Sequence, residues 1–509
     1  MNFNPPSGWN FRPLGQCIDL VIDHRGKTPK KLGSDWVKEG VPTISAKNVN
    51  GGKLVAKESI RYVPHDIYKK WMKEDVQKGD CFLVSEGATL GECLYWDEKY
   101  PVVLGQRIFC IRANPEILNP RYLYAYMASH GFQHEITGRA TGSSVSGLRQ
   151  TEVLQLQVLL PPLNEQAVIG NTLFNINKKI DINHQINQTL EQMAQTLFKS
   201  WFVDFDPVKA KIAALEAGGG EEDALLTAMQ VIAGDTQECT NTAEGSAPEA
   251  ATGDKLARLQ AEQPQQYAEL RATAELFPSA MQDSELDEIP EGWNVLNLED
   301  LCTTITKGTT PKKSEIAEST DPASIYFIKV KDIKSTGEIV QEGLEIIPSS
   351  VNRKALKRSI LETGDLLFSI AGTIGRVAIV DSNLAGSNTN QAVGIIRLKE
   401  PGRHLSLVWQ LLISVRTHNE IRSKVVQGVQ ANASLKNLRD IQVLLPCNHI
   451  LEIAISQLDA LLQQIASNRA QSRNLKEMRD TLLPRLLSGE LPLSGAESEL
   501  AGIEEAADV

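Results

Sequence analysis

The chain has 509 residues, 42% of them hydrophobic and 23% charged, which is ordinary for a water-soluble globular protein. No apolar run reaches the roughly 18 residues that cross a bilayer, and the opening MNFNPPSGWNFRP lacks a basic stretch followed by an apolar one, so neither a membrane span nor a secretory signal is expected. The net charge of −11 is unevenly spread: residues 215–290 carry −13 and residues 488–509 carry −6, which leaves +8 on the remainder.

From Gly8 to Pro162 the pattern is short and punctuated. Val41–Ser45, Cys81–Ser85, Val102–Leu104 and Gln106–Ile111 read as strands between glycine turns. A single helix is expected around Pro120 to His134, with Pro120 near its first position. Helices are too few between strands for a doubly wound sheet, so the domain is a mixed α/β one.

From Asn164 to Phe202 the period becomes helical. Leu173, Ile176, Ile180, Leu190, Ala194, Leu197 and Trp201 step by three and four, with Asn183 and Asn187 in the gap. This is a coiled-coil seam interrupted by a polar layer, which specifies register at some cost in stability. Val208 to Asp283 reads as an acidic linker with short helices, its stretch from Gly234 to Asp254 mobile in composition.

The chain then repeats itself. Pro6, Gly8, Trp9 and Asn10 return as Pro290, Gly292, Trp293 and Asn294, and Thr28-Pro29-Lys30-Lys31 returns as Thr310-Pro311-Lys312-Lys313. Leu156–Pro161 returns as Ile441–Pro446, and the offset drifts only from 282 to 285. A second helical pattern follows through Leu458, Leu461, Ile465, Leu475, Leu482 and Leu486, with Asn468 and Ser472 at the polar positions. Each helix needs a partner for its apolar stripe, and the other supplies it. The layout favours an antiparallel pair with one globule at each end.

Two apparent motifs fail, one of a phosphate loop and one of an amino-methyltransferase. Gly26-Lys27-Thr28 has Val21 where a phosphate loop needs glycine, and Pro29 where it needs a helix. Asn4-Pro5-Pro6 ends in Ser7 rather than an aromatic residue, and no glycine-rich methyl-donor loop precedes it. Seven scattered cysteines, none in a Cys-x-x-Cys pair, argue for a reducing cytoplasm and against structural zinc.

What remains is a binding surface on a basic body, suited to a phosphate-bearing partner. In the first copy the candidates are Arg25, Lys27, Thr28, Lys30, Lys31, Lys47 and Asn48, then Thr89, Gln106, Arg107, Ser143 and Ser144. In the second they are Lys307, Thr309, Lys312, Lys313, Lys329 and Lys331, then Thr373, Asn390, Gln391, Gln430 and Asn432. Lysines in turns suit phosphates, which position a duplex, whereas amides such as Gln106 and Gln391 can read adenine.

The sequence resembles the specificity (S) subunits of type I restriction-modification systems over nearly its whole length. The resemblance rests on Pro-x-Gly-Trp at Pro6–Trp9 and Pro290–Trp293, and on Leu159–Gln166. It rests also on Leu197–Pro207, with its Trp-Phe-Val-Asp-Phe-Asp-Pro run, and on Leu482–Glu490. The second copy departs at Pro446-Cys447-Asn448-His449, where Pro-Pro and Glu-Gln are lost.

The resemblance implies two tandem target-recognition domains, 1–162 and 290–447, each reading half of a split, asymmetric sequence in double-stranded DNA. They alternate with helices 163–206 and 448–490, which pair as an antiparallel coiled coil; 207–289 is a linker insertion and 491–509 a tail. It implies two modification subunits that methylate adenine and restriction subunits that use ATP. S-adenosylmethionine, ATP and Mg belong to those partners, and this chain carries no cofactor, metal or catalytic site. Three other readings stay open: a specificity subunit of a methylation-only system, a fused methyltransferase, disfavoured by the missing methyl-donor loop, and a two-headed protein scaffold, disfavoured by the basic body.

Overall fold

A computed structural model of the chain describes residues 6–24, 26–141, 146–234, 252–284, 287–424 and 432–491. The fold is mixed α/β and divides into two units, residues up to 185 with those from 467 onward, and residues 186–466.

In the first unit, an antiparallel sheet has the order Ile18–Asp23, Ile108–Ala113, Cys81–Val84, Cys93–Tyr95. A smaller mixed sheet has Arg61–Val63, Val41–Ile44 and Val103–Leu104, the last pair parallel. Asn10–Pro13 pairs antiparallel with Gln157–Leu160, so the Trp9 segment closes on the repeated Val-Leu-Leu strand. Cys81 to Val84 are buried in succession, because this strand is covered on both faces.

The second unit repeats this sheet by sheet. Its main sheet runs Cys302–Lys307, Val393–Leu398, Leu366–Ser369, Val377–Ile379. Its smaller one runs Glu345–Pro348, Ala323–Ile328, Asn388–Thr389, again with one parallel pair. Asn294–Asn297 pairs with Gln442–Leu445. The registers correspond: Phe109 faces Leu83 as Gly394 faces Phe368.

A buried ion pair repeats too. Arg112 grips Asp80 through Nε and Nη2, both at 2.8 Å, and Arg397 grips Asp365 in the same fashion at 2.8 and 2.7 Å. Each carboxylate also accepts the backbone N–H three residues before it, from Gln77 or Glu362, at 2.8 Å. The pair therefore ties the turn entering one sheet strand to its neighbouring strand. Hydrogen bonding to the aspartates raises the pKa of both guanidinium groups.

The two long helices are Leu163–Phe202 and Asn448–Leu487. Within the first unit, Leu173, Ile176 and Ile180 are buried, and Leu173 shares a core with Leu482 and Leu486. Arg479 donates to Asn177 at 3.1 Å, and Asn183 Nδ2 donates to Ser472 Oγ at 3.2 Å and to Gln471 at 2.7 Å. Rising numbers on one helix meet falling numbers on the other, so the packing is antiparallel. Asn468 is buried beside them, its carbonyl 3.4 Å from Asn183 Nδ2. In the second unit Asn187 is buried and donates to the Ile465 carbonyl at 3.4 Å. Trp201, Phe198, Ala454 and Ile455 join its core; Leu458 is buried, and Leu190, Leu197 and Leu461 are half-buried, as is Leu475 in the first unit.

The Leu159–Gln166 motif has a packing explanation. Gln166 is buried, accepts from Asn119 N–H at 2.8 Å and donates to the Pro161 and Ile117 carbonyls at 2.8 and 3.1 Å. Trp9 Nε1 donates to Glu165 at 3.0 Å. A Cβ on Gly170 would stand 2.5 Å from the Tyr122 nitrogen, so only glycine lets the helix approach the globule there. In the second unit Trp293 packs instead on Phe202 and Phe205 at 5.8 and 5.9 Å, which is compatible with the loss of Glu-Gln.

Two expectations are corrected. The helix expected from Pro120 to His134 is two, Pro120–Met127 and His130–Arg139, because Ser129 leaves the helix and caps the second. Gln106 and Arg107 precede rather than begin the strand, which starts at Ile108. The short helices expected in the acidic linker are Asp206–Glu216, Glu221–Ile232, Thr252–Glu262 and Pro264–Leu276. Leu225, Met229, Leu256 and Ala274 form their own small core, and Arg271 grips Glu222 through two bonds at 2.6 and 2.7 Å. Most of the Gly234–Asp254 stretch and the tail from 492 lie outside the described residues.

Candidate nucleic-acid interface

The first globule presents a groove of about 610 Å³ built from separated segments. The strand Ile18–Asp23 ends at a tight turn where Lys27 N–H bonds the His24 carbonyl, and Gly33 then closes a short helix at φ +77°. That turn places Lys27, Thr28 and Lys30 on the groove wall. Lys47 comes from the turn after Val41–Ile44, and Gln106 and Arg107 come from the turn before Ile108. Six sequence candidates therefore converge, although they lie up to 80 residues apart.

The lining contains five cations, Lys27, Lys30, Lys47, Arg61 and Arg107, and no carboxylate among the described residues, although Arg107 is paired with Glu86 beside it. A concave surface with one sign of charge concentrates polyanions. Lys27 donates to the Trp71 carbonyl at 2.6 Å, and burial lowers the pKa of its amine. Lys47 donates to the Ser59 carbonyl at 3.1 Å, and Lys31, beside the groove, to the Gly26 carbonyl at 2.6 Å. These bonds orient the ammonium groups without neutralising them. Lys30 is exposed; Thr28 Oγ1 accepts the Lys31 N–H at 3.4 Å.

Sequence reading missed the aromatic part of this surface. Arg61 lies over the Trp36 ring at 3.8 Å, and Trp36 stands 6.4 Å from Trp71. The pair forms because Val37 bridges Tyr62 across the sheet edge, a contact that spacing alone does not reveal. Asn48, by contrast, is withdrawn from the candidates. It is fully buried, accepts from Ser45 N–H and Oγ at 3.1 and 3.0 Å and donates to Ser59 Oγ at 3.2 Å, which fixes a turn. Thr89 is half-buried outside the groove, and its carbonyl accepts the Glu92 N–H. Arg25, Ser143, Ser144 and Gln430 lie outside the described residues.

In the second globule, Thr310 Oγ1 donates to Gln391 at 2.5 Å and Arg358 donates to Thr309 Oγ1 at 2.9 Å, so these turns meet on one edge. Lys307, Lys312, Lys313 and Lys331 are exposed. Lys329 is ion-paired to Glu345, which takes it from the free cations. Asn390 turns its carboxamide oxygen onto the Ala392 N–H at 3.2 Å. Thr373 and Asn432 are exposed, and Asn432 bridges Ala371. Arg358 was not among the sequence candidates.

A family model described as the type I restriction modification DNA specificity domain matches residues 6–192 and 290–477, covering both copies. The chain belongs to this family. It is 29% identical to the HindI specificity subunit of Haemophilus influenzae, covering 82% of this chain and 88% of that one. It is 21% identical to the MjaIX specificity subunit of Methanocaldococcus jannaschii, covering 96% and 94%. The solved S subunit from M. genitalium shares the fold at a TM-score of 0.52 and 14% identity, over 96% of this chain and 98% of that one. No helix among the described residues is long and apolar enough to cross a membrane.

Proposed function

We propose that this chain gives a type I restriction-modification complex its DNA specificity, each globule reading one half of a bipartite, asymmetric duplex. The observation that carries this is the carboxylate-free groove with five cations, set in one copy of a duplicated fold. In this reading the paired helices set the spacer between half-sites and dock two modification subunits. Ile186 and Met193, exposed apolar side chains on the central helix within the second unit, suit such docking. The modification subunits supply S-adenosylmethionine and methylate adenine N6, and restriction subunits add ATP- and Mg-dependent cleavage. The chain itself is a non-catalytic cytoplasmic component.

The test is duplex affinity against salt, measured on the chain assembled with its modification subunits. Lys30→Ala with Lys47→Ala is expected to weaken binding to target and unrelated duplexes alike. The slope of log affinity on log salt should become shallower by about 1.8, near 0.9 for each phosphate that the variant leaves unneutralised. An interaction of the wild type that does not respond to salt would point to a protein-binding scaffold instead, and a slope unchanged in the variant would mean that the duplex is held elsewhere.

A further inference from the structure

Arg107 holds a backbone conformation that its counterpart does not share. Its φ is +64°, in the left-handed region that bulky side chains rarely adopt. The corresponding residue is Ala392, since Ser85 N–H bonds the Arg107 carbonyl at 2.9 Å just as Ile370 N–H bonds the Ala392 carbonyl at 2.8 Å. Ala392 is not among the described residues with positive φ. The shared fold therefore does not demand the strained form; it accompanies the arginine. Strain of this kind gathers at sites where geometry matters more than stability.

The partner of Arg107 changes with it. Arg107 Nε lies 2.7 Å from Glu86 Oε1, and the residue 285 positions beyond Glu86 is Ala371. Both members of the pair are present in one copy and both are alanine in the other. The pair is substantially exposed, and an exposed ion pair adds little stability. What it does is set the guanidinium against the Glu86 carboxylate through Nε. Gly87, at φ +102°, adds no side chain beside the fork; a Cβ there would stand 3.8 Å from Nη1. Arg107 and its exposed neighbour Gln106 both line the cationic groove.

We propose that Arg107 reads a guanine in the half-site of the first globule, and that Glu86 positions it; the inference rests on the DNA-reading function proposed above. A guanidinium fork matches the O6 and N7 acceptors of guanine in the major groove, whereas a phosphate contact needs only a charge. The second globule lacks this arm, so its half-site is read by other groups.

Wild type, Arg107→Ala, Arg107→Lys and Glu86→Gln would each be assembled with the modification subunits and scored by methylation at every single-base variant of the target. Arg107→Ala should lower discrimination at one G·C pair of one half-site by roughly 10- to 100-fold, and Arg107→Lys by less, leaving the other half unchanged. Glu86→Gln should relax the same position by less, with no shallower salt slope, a result that loosened folding would not give. A loss of affinity in Arg107→Ala shared equally by all sequences, with the preference at every position kept, would mark Arg107 as a phosphate contact and overturn the proposal. So would a pattern and an affinity both unchanged in Arg107→Ala. A wild type that methylates no bipartite motif would remove the underlying reading, and this proposal with it.

Discussion

Arg397→Met is expected to destabilise the second globule by about 3–5 kcal/mol, because it strands a buried carboxylate. The Asp365 side chain is 1% exposed, against 27% for Arg397, so the penalty falls on the acid. Of its partners the Glu362 N–H alone would remain among those described. Arg112→Met should act on the first globule in the same way. There the loss is partly offset, since Asp80 keeps the Gln77 N–H and the Cys110 thiol at 3.4 Å. Removing both charges together, as Asp365→Leu with Arg397→Met, should recover much of the stability, because the desolvation cost disappears with the pair. Urea denaturation of the single and double variants measures the difference. A change below about 1 kcal/mol in Arg397→Met would show that water reaches the carboxylate.

Trp201→Ala should cost a similar amount, about 3–5 kcal/mol. Trp201 is 2% exposed at the end of the central helix and meets Phe277 edge-on at 5.1 Å. Phe277 follows the last insertion helix, and its carbonyl accepts Lys211 Nζ at 2.6 Å. A cavity at Trp201 therefore loosens the insertion from both ends. Limited proteolysis should cut between residues 206 and 280 earlier than in the wild type, while the first unit stays resistant. Equal resistance across the chain would mean that the surroundings collapse into the space.

The architecture was legible where one physical signal dominates. The 285-residue repeat exposed the duplicated globules, and the steps Leu173–Ile176–Ile180 exposed the helices with Asn183 and Asn187 between them. Spacing carried no signal for contacts made across sheets. Asp80 and Arg112 are 32 residues apart, as are Asp365 and Arg397, and nothing local announces either pair. The Trp36–Arg61 stack was hidden for the same reason. Asn48 resembled a surface amide because it follows a lysine in a turn; its burial depends on Val55, Ala56 and Ser59 folding over it. The acidic segment read as a linker because charge dominates its composition, yet a few apolar residues at helical spacing suffice to pack it.

The most direct test of DNA specificity is single-molecule methylation sequencing in cells expressing this chain with its modification subunit, before and after the globule 290–447 is replaced by that of a relative. The expected result is adenine methylation at one split, asymmetric motif that disappears when this chain is deleted. The replacement should then alter one half of the motif and keep the other half and the spacer. Methylation that persists unchanged after deletion, or a replacement that alters both halves together, would contradict the account.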